Sequence, residues 1–114
     1  MRITNRTRGT LLASDAREAR SFVSRLVGLL GRGSLPPGAG LVIDPCSSVH
    51  TAFMRFAIDV LYVSRDGEVL KIVPNMKPFR ASAMARARCY VIELPSGTAA
   101  EASTAVGDEL ELDR

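Results

Sequence analysis

Asp59-Val60-Leu61-Tyr62-Val63-Ser64-Arg65-Asp66-Gly67-Glu68-Val69-Leu70-Lys71-Ile72-Val73 is the stretch on which the fold reading turns. Two runs rich in β-branched and aromatic residues flank Asp66-Gly67, and Asp-Gly is favoured in the type I′ turn whose twist suits a hairpin. With that turn, Arg65 falls opposite Glu68, Val63 opposite Leu70 and Leu61 opposite Ile72. These residues share a face that is apolar except at the turn end, and the core is expected on that side. The other face, with Val60, Tyr62, Ser64, Val69, Lys71 and Val73, is mixed. Side chains alternate along a strand, so Asp59 joins the Leu61–Val63 row and its carboxylate is aimed at the rim of the core. An ionised carboxylate placed there must be held by donors. The donors expected are His50, Thr51 and the backbone N–H groups of the 47–51 loop.

Working outward, Leu41-Val42-Ile43 is a short apolar run stopped by Asp44-Pro45 and reads as a buried strand. Cys89 to Leu94 reads as another, with Tyr90, Ile92 and Leu94 on one side and Cys89, Val91 and Glu93 on the other. Leu11-Leu12-Ala13 ends a polar stretch as an edge strand. Asp15 with Glu18 reads as a capping box opening a helix. Ala19, Phe22, Val23, Leu26 and Leu30 give that helix one apolar stripe, and Gly31 ends it. Pro36-Pro37 forces a loop, and residues 74–88 read as irregular. Thr98 with Glu101 caps a short helical turn, and Gly107-Asp108 turns the chain into a last strand with Leu110 and Leu112 inward. The fold class expected is mainly β with one or two helices (α+β). The sheet is an antiparallel sandwich or barrel-like, with an N-terminal helix packed on it.

The length of 114 residues suits a single domain over 1–114, and no internal repeat or linker divides it. Hydrophobic residues make up 46% and aromatics 5%, so the core must be aliphatic. The net charge is +3, yet the arginines are scattered along the chain rather than gathered in a stripe, which argues against nucleic-acid binding. The two cysteines are too few for a disulfide framework. No apolar run reaches the roughly 18 residues of a membrane span. No signal peptide is read after Met1-Arg2, so a cytoplasmic monomer with free thiols is expected, without a cofactor.

The chemistry-bearing groups crowd between Cys46 and Asp59, where the sole histidine, one cysteine and a carboxylate occur together. Cys46 as nucleophile, His50 as base and Asp59 as orienter would make a small hydrolase or transferase. Cys46, His50 and Met54, each four apart, would suit a soft metal such as copper if helical, but the apolar pattern argues against a helix there. No C-x-x-C pair or second histidine completes a metal set, so none is assigned. The bland reading makes both cysteines small buried hydrophobes and Asp59 an acceptor of backbone N–H groups. Arg55, Arg80, Arg86 and Arg88 read as solvated surface. The leading expectation is a non-enzymatic module that binds a small ligand or a protein partner near Cys46, His50, Arg55 and Asp59.

Taken together, Gly28-Leu29-Leu30-Gly31-Arg32, Cys46-Ser47-Ser48-Val49-His50-Thr51, Met54-Arg55-Phe56-Ala57-Ile58-Asp59-Val60, Val91-Ile92-Glu93-Leu94-Pro95-Ser96-Gly97 and Gly107-Asp108 resemble one family. It is the bacterial and archaeal family called domain of unknown function 192, and the resemblance spans about 22–112. It implies a compact, mainly antiparallel β fold with a helix near the N-terminus, and no activity. Its pattern singles out Met54, Ile58, Asp59, Glu93, Gly97, Gly107 and Asp108. The Cys46–Thr51 segment resembles one subgroup, and Ala57 stands where many relatives have proline. Some relatives carry export signals. With Glu93 added on this basis, the ligand-binding residues expected are His50, Thr51, Met54, Arg55, Asp59 and Glu93.

Overall fold

The computed structural model describes residues 1–19, 35–46, 48–51, 54–84 and 89–113. Ten strands run in chain order: β1 (Arg2–Asn5), β2 (Thr10–Ala13), β3 (Asp15–Ala19), β4 (Ala39–Ile43), β5 (Ser48–His50), β6 (Ile58–Ser64), β7 (Val69–Met76), β8 (Ala81–Ala83), β9 (Cys89–Pro95) and β10 (Leu110–Asp113). The described helix, here α1, is the single turn Thr98–Glu101. The strands form a central five-stranded sheet in the order β3-β4-β9-β6-β7, a three-stranded sheet β10-β1-β2 and a two-stranded ribbon β5-β8. The chain is therefore mainly β, with stacked open sheets. Among the described strands no sheet closes into a barrel.

The central sheet is buried on both faces, which explains why β6 and β9 read as nearly continuous apolar runs. Leu61, Val63, Ile92, Leu94 and Val42 point to one side and pack with Ile3, Leu12, Leu110, Ala99 and Ala102 from the three-stranded sheet and α1. Val60, Tyr62, Val91, Leu41 and Ile43 point to the other and pack with Val49, Met54 and Met76 beside the β5-β8 ribbon. The expected inward row of the hairpin holds for Leu61, Val63 and Ile72, but Leu70 and Val69 exchange faces: Val69 joins the first cluster and Leu70 packs against the second. The mixed row is also interior along β6, where Val60 and Tyr62 are fully buried.

The hairpin turn differs from the type I′ reading. Ser64 accepts from Gly67 N–H at 3.0 Å and donates its own N–H to Glu68 at 2.9 Å, so Arg65-Asp66-Gly67 is a three-residue loop with Gly67 at φ 92. Val63 accordingly pairs with Val69, not Leu70. A bulge at Leu70 then restores the expected alignment, with Tyr62 opposite Lys71 and Leu61 opposite Ile72. Gly67 is required twice over, by its positive φ and because a Cβ there would stand 2.7 Å from the Leu110 carbonyl.

The capping-box reading of Asp15 and Glu18 is overturned. Asp15–Ala19 is an edge strand parallel to β4, pairing Asp15 with Ala39 through to Ala19 with Ile43. The Met1 ammonium and carbonyl bond to the backbone of Ala16, both at 2.8 Å, at the strand's outer edge. Tertiary ladders on both sides override a local helix signal carried by only two residues. Gly40 admits this packing: a Cβ there would meet Leu94, Ala13 and Ala16 at 3.1–3.5 Å. The rest of the expected N-terminal helix, to Gly31, lies outside the described residues. Residues 74–84 are irregular only in part: Pro74 falls within β7, an edge strand of the central sheet among the described residues, 81–83 form β8, and 77–80 turn between them. Leu11–Ala13 lies on the edge strand β2 and residues 98–101 form a helical turn, both as expected, but the capping residue is Gly97 rather than Thr98 and has no side-chain cap bond. No helix among the described residues is long and apolar enough to cross a membrane.

Candidate functional site

After β4 the chain crosses the end of the central sheet, and Asp44 forms a two-point ion pair with Arg65 of the hairpin loop. Cys46 follows, half-buried. Its N–H donates to the Cys89 carbonyl at 3.1 Å and its thiol to the Ser48 carbonyl at 3.0 Å. In return the buried Cys89 thiol donates to the Cys46 carbonyl at 3.0 Å. In β5 Val49 turns into the core while Ser48 and His50 face outward. Thr51 is fully buried and serves as a knot. Its hydroxyl donates to the Lys77 carbonyl at 2.6 Å and accepts from Arg80 N–H at 2.9 Å, while its N–H donates to the Arg80 carbonyl at 2.9 Å. That places Thr51 in the scaffold of the ribbon. Met54 is core, and Arg55 and Arg80 are exposed.

Asp59 is buried on the core face that alternation assigned to it, at 1% exposure, but its donors are not those expected. Oδ1 accepts from Asn75 N–H at 2.9 Å, and Oδ2 accepts from Gly97 and Ala99 N–H at 3.1 and 2.9 Å. Gly97 caps α1 without a side-chain bond of its own, so Asp59 supplies from β6 the acceptor that a local Ser or Asp would ordinarily provide. His50 with the rest of β5, and Thr51 after it, belong to the opposite layer. The structure therefore brings Cys46 close to the β5 strand that carries His50 and sets Asp59 on the far side of the sheet from both.

The Cys46 side of the sheet holds a polar group that sequence reasoning passed over. Tyr62 is fully buried and shares a hydrogen bond of 2.6 Å with Ser82 of β8. Lys71 stands 5.7 Å above the Tyr62 ring and donates to the Ala83 carbonyl at 2.8 Å. Burial pushes the Tyr62 phenol up. The Ser82 bond opposes that shift, and the nearby Cys46, Cys89 and Glu93 groups reinforce it. Glu93 is fully buried in β9 with Leu41 and Val60 as its cross-strand neighbours, so a carboxylate, a phenol and two thiols share one face. The period-two rows had put Glu93, Cys89 and Val91 together. Tyr62 was missed because its row also contains Ser64 and Lys71. Among the described residues no three His, Cys, Asp or Glu side chains gather into a metal-binding group.

A second anchor lies just beyond α1, where Thr104 N–H bonds to the Ala99 carbonyl. Asp108 Oδ2 accepts from Asn5 Nδ2, Arg8 Nε and Ala105 N–H, each at 3.0 Å. Asn5 and Arg8 hold its carboxyl down to about 2, with Ala105 adding to the effect. Gly107, at φ 95, makes the turn that aims Asp108 inward.

Residues 3–112 match the family model of domain of unknown function 192, described as an uncharacterised ACR. The chain belongs to this family. A UPF0127 protein of Pyrococcus furiosus is 34% identical over 115 residues, covering 96% of this chain and 97% of that one. A solved structure of a protein of unknown function from Novosphingobium aromaticivorans superposes with a TM-score of 0.83 at 22% identity, over 98% of this chain and 84% of that one. A putative transcription regulator from Sinorhizobium meliloti superposes at 0.78 and 22% identity, over 96% and 89%. These two likenesses establish the fold.

In this domain of unknown function 192, the positions picked out by the resemblance sort by physical role. Met54 and Ile58 are core, Asp59 and Gly97 form one hydrogen-bonded anchor, and Gly107 and Asp108 form another. Glu93 is the ionisable member of the set that stands on the Cys46 face.

Proposed function

We propose that the domain is a non-enzymatic binding module for a small ligand or a protein segment. Its site lies on the face carrying Cys46, Tyr62, Ser82 and Glu93, beside the segment Cys46–Asp59. The observation that carries the reading is the full burial of Tyr62 and Glu93 among aliphatic side chains on one face of the sheet, next to a half-buried Cys46. Ligand sites are concave and mostly apolar with a few convergent polar groups; the layer between the sheet and the ribbon has that composition, and its half-buried Cys46 marks the rim from which a ligand would enter. Support also comes from what the other polar residues do: Asp59, Thr51 and Asp108 are engaged in holding loops. A Cys46–His50 hydrolase remains the second reading, favoured by the closeness of Cys46 to the β5 strand. It loses force because both Asp59 oxygens are bound to backbone N–H groups.

Two measurements test the proposal. Amide correlation spectra of the intact chain, titrated with small aromatic amines and carboxylates as probes, are expected to shift at Val49, Met54, Tyr62, Ser82 and Glu93. Shifts confined to the opposite cleft, between Leu12, Ser14, Gly38 and Thr98, would place binding elsewhere and overturn it. Iodoacetamide should label Cys46 no faster than an ordinary exposed thiol. Much faster labelling below the usual thiol pKa would signal an activated thiolate and turn the assignment to the hydrolase.

A further inference from the structure

We infer that Cys46 and Cys89 are a disulfide-forming pair, a covalent modification site independent of the binding reading. The two residues are 43 positions apart, yet each backbone or side chain addresses the other. The Cys46 N–H meets the Cys89 carbonyl at 3.1 Å, and the Cys89 thiol meets the Cys46 carbonyl at 3.0 Å. That N–H···O=C bond holds the two main chains side by side, with their Cα atoms on the order of 5–6 Å apart. Natural disulfides span about 4.4–6.8 Å between Cα atoms, so no strand need move. The Cys89 sulfur already lies against the Cys46 main chain. The Cys46 sulfur is engaged with the Ser48 carbonyl at 3.0 Å, so the bond requires it to leave that acceptor by a change of its χ1 rotamer.

Exposure sets the order of events. Cys46 is half-buried and open to a small reagent, whereas Cys89 is 2% exposed. With an oxidised small-molecule disulfide as the oxidant, the Cys46 thiolate attacks one of its sulfurs. A Cys46 mixed disulfide forms and one thiolate leaves. The Cys89 thiolate then attacks the Cys46 sulfur, forming the Cys46–Cys89 bond and expelling the second thiolate. The two protein thiols are oxidised, the reagent is reduced to two thiols, and the two protons released by the cysteines go to them. The product ties the end of β4 to the start of β9, beside Tyr62.

The test is to incubate the native chain with glutathione disulfide and follow intact mass, free thiols and tryptic peptides. Wild type is expected to lose both thiols together, to lose two hydrogens in mass and to yield a peptide linking Cys46 to Cys89, reversed by dithiothreitol. Cys89→Ser is expected to stop at one glutathione on Cys46, and Cys46→Ser to keep the Cys89 thiol. Circular dichroism checks that both variants fold, and the wild-type result decides alone if either does not. Wild type that accumulates the Cys46 glutathione adduct with Cys89 still reduced would overturn the inference. So would a native chain in which neither thiol changes.

Discussion

Asp59 shows how one side chain can close several turns at once. Its two oxygens take three backbone N–H groups, from the end of β7 and from both sides of the α1 cap. Asp59→Ala leaves these donors buried and unmatched, which costs about 1–3 kcal/mol for such a group. Asp59→Asn keeps one acceptor oxygen, able to hold Gly97 and Ala99, so it should lower the melting temperature by less. Thermal melts of both variants beside wild type check this, and an alanine variant melting with wild type would remove Asp59 from the scaffold. Asp108 makes a prediction of different form. Its native carboxyl titrates at about 2, against an ordinary value of 3.8. Depression of a carboxyl in the folded state stabilises the fold at pH above the ordinary value. That contribution is lost as pH falls from 3.8 through about 2. The stability gap between wild type and Asp108→Asn in urea titrations should therefore be full at neutral pH and close across that window. A gap constant with pH would show that the charge on Asp108 contributes nothing to stability.

At the scale of elements, the hairpin was legible because alternation and turn residues agreed, and Leu61 does pair with Ile72. Loop length was not, because Arg65-Asp66-Gly67 serves a two-residue or a three-residue turn equally well until Gly67 meets β10. Leu110 donates to the Gly67 carbonyl at 2.8 Å, and the Leu110 carbonyl leaves no room for a Cβ. Gly67→Ala should cost about 1–3 kcal/mol from the left-handed φ and this contact. Gly67→Asn should not recover the loss, although Asn tolerates positive φ, because it carries the same Cβ. Urea unfolding of the two variants separates the causes, and an Asn variant as stable as wild type would assign the cost to φ alone. The β3 segment taught the opposite lesson. Asp15 and Glu18 sit at capping-box spacing, but the first strand and β4 offer that backbone more hydrogen bonds than a helical turn could.

At the scale of the molecule, burial of the central sheet on both faces means that neither row of β6 or β9 is spare. Ile92 on one face and Ile58 on the other are both fully buried. Ile92→Ala and Ile58→Ala should each destabilise by about 2–5 kcal/mol, the range for deleting a large aliphatic side chain from a filled core. Denaturant midpoints of the two variants test the three-layer arrangement. If Ile58→Ala were nearly neutral, the layer carrying the β5-β8 ribbon would not be packed as described.

The sequence by itself determined the strand rows of β6 and β9, the inward aim of Asp59, the helical turn at residues 98–101 and the family. Each of these follows from local pattern: period-two alternation, turn chemistry and motif order are read within a few residues. The structure alone decided which donors Asp59 holds, that Tyr62 and Ser82 meet, that Asp15–Ala19 is a strand, and that Cys46 and Cys89 lie back to back. These are contacts between residues distant in sequence, set by how three sheets stack, and alternation along one strand says which face a side chain takes without saying what covers it.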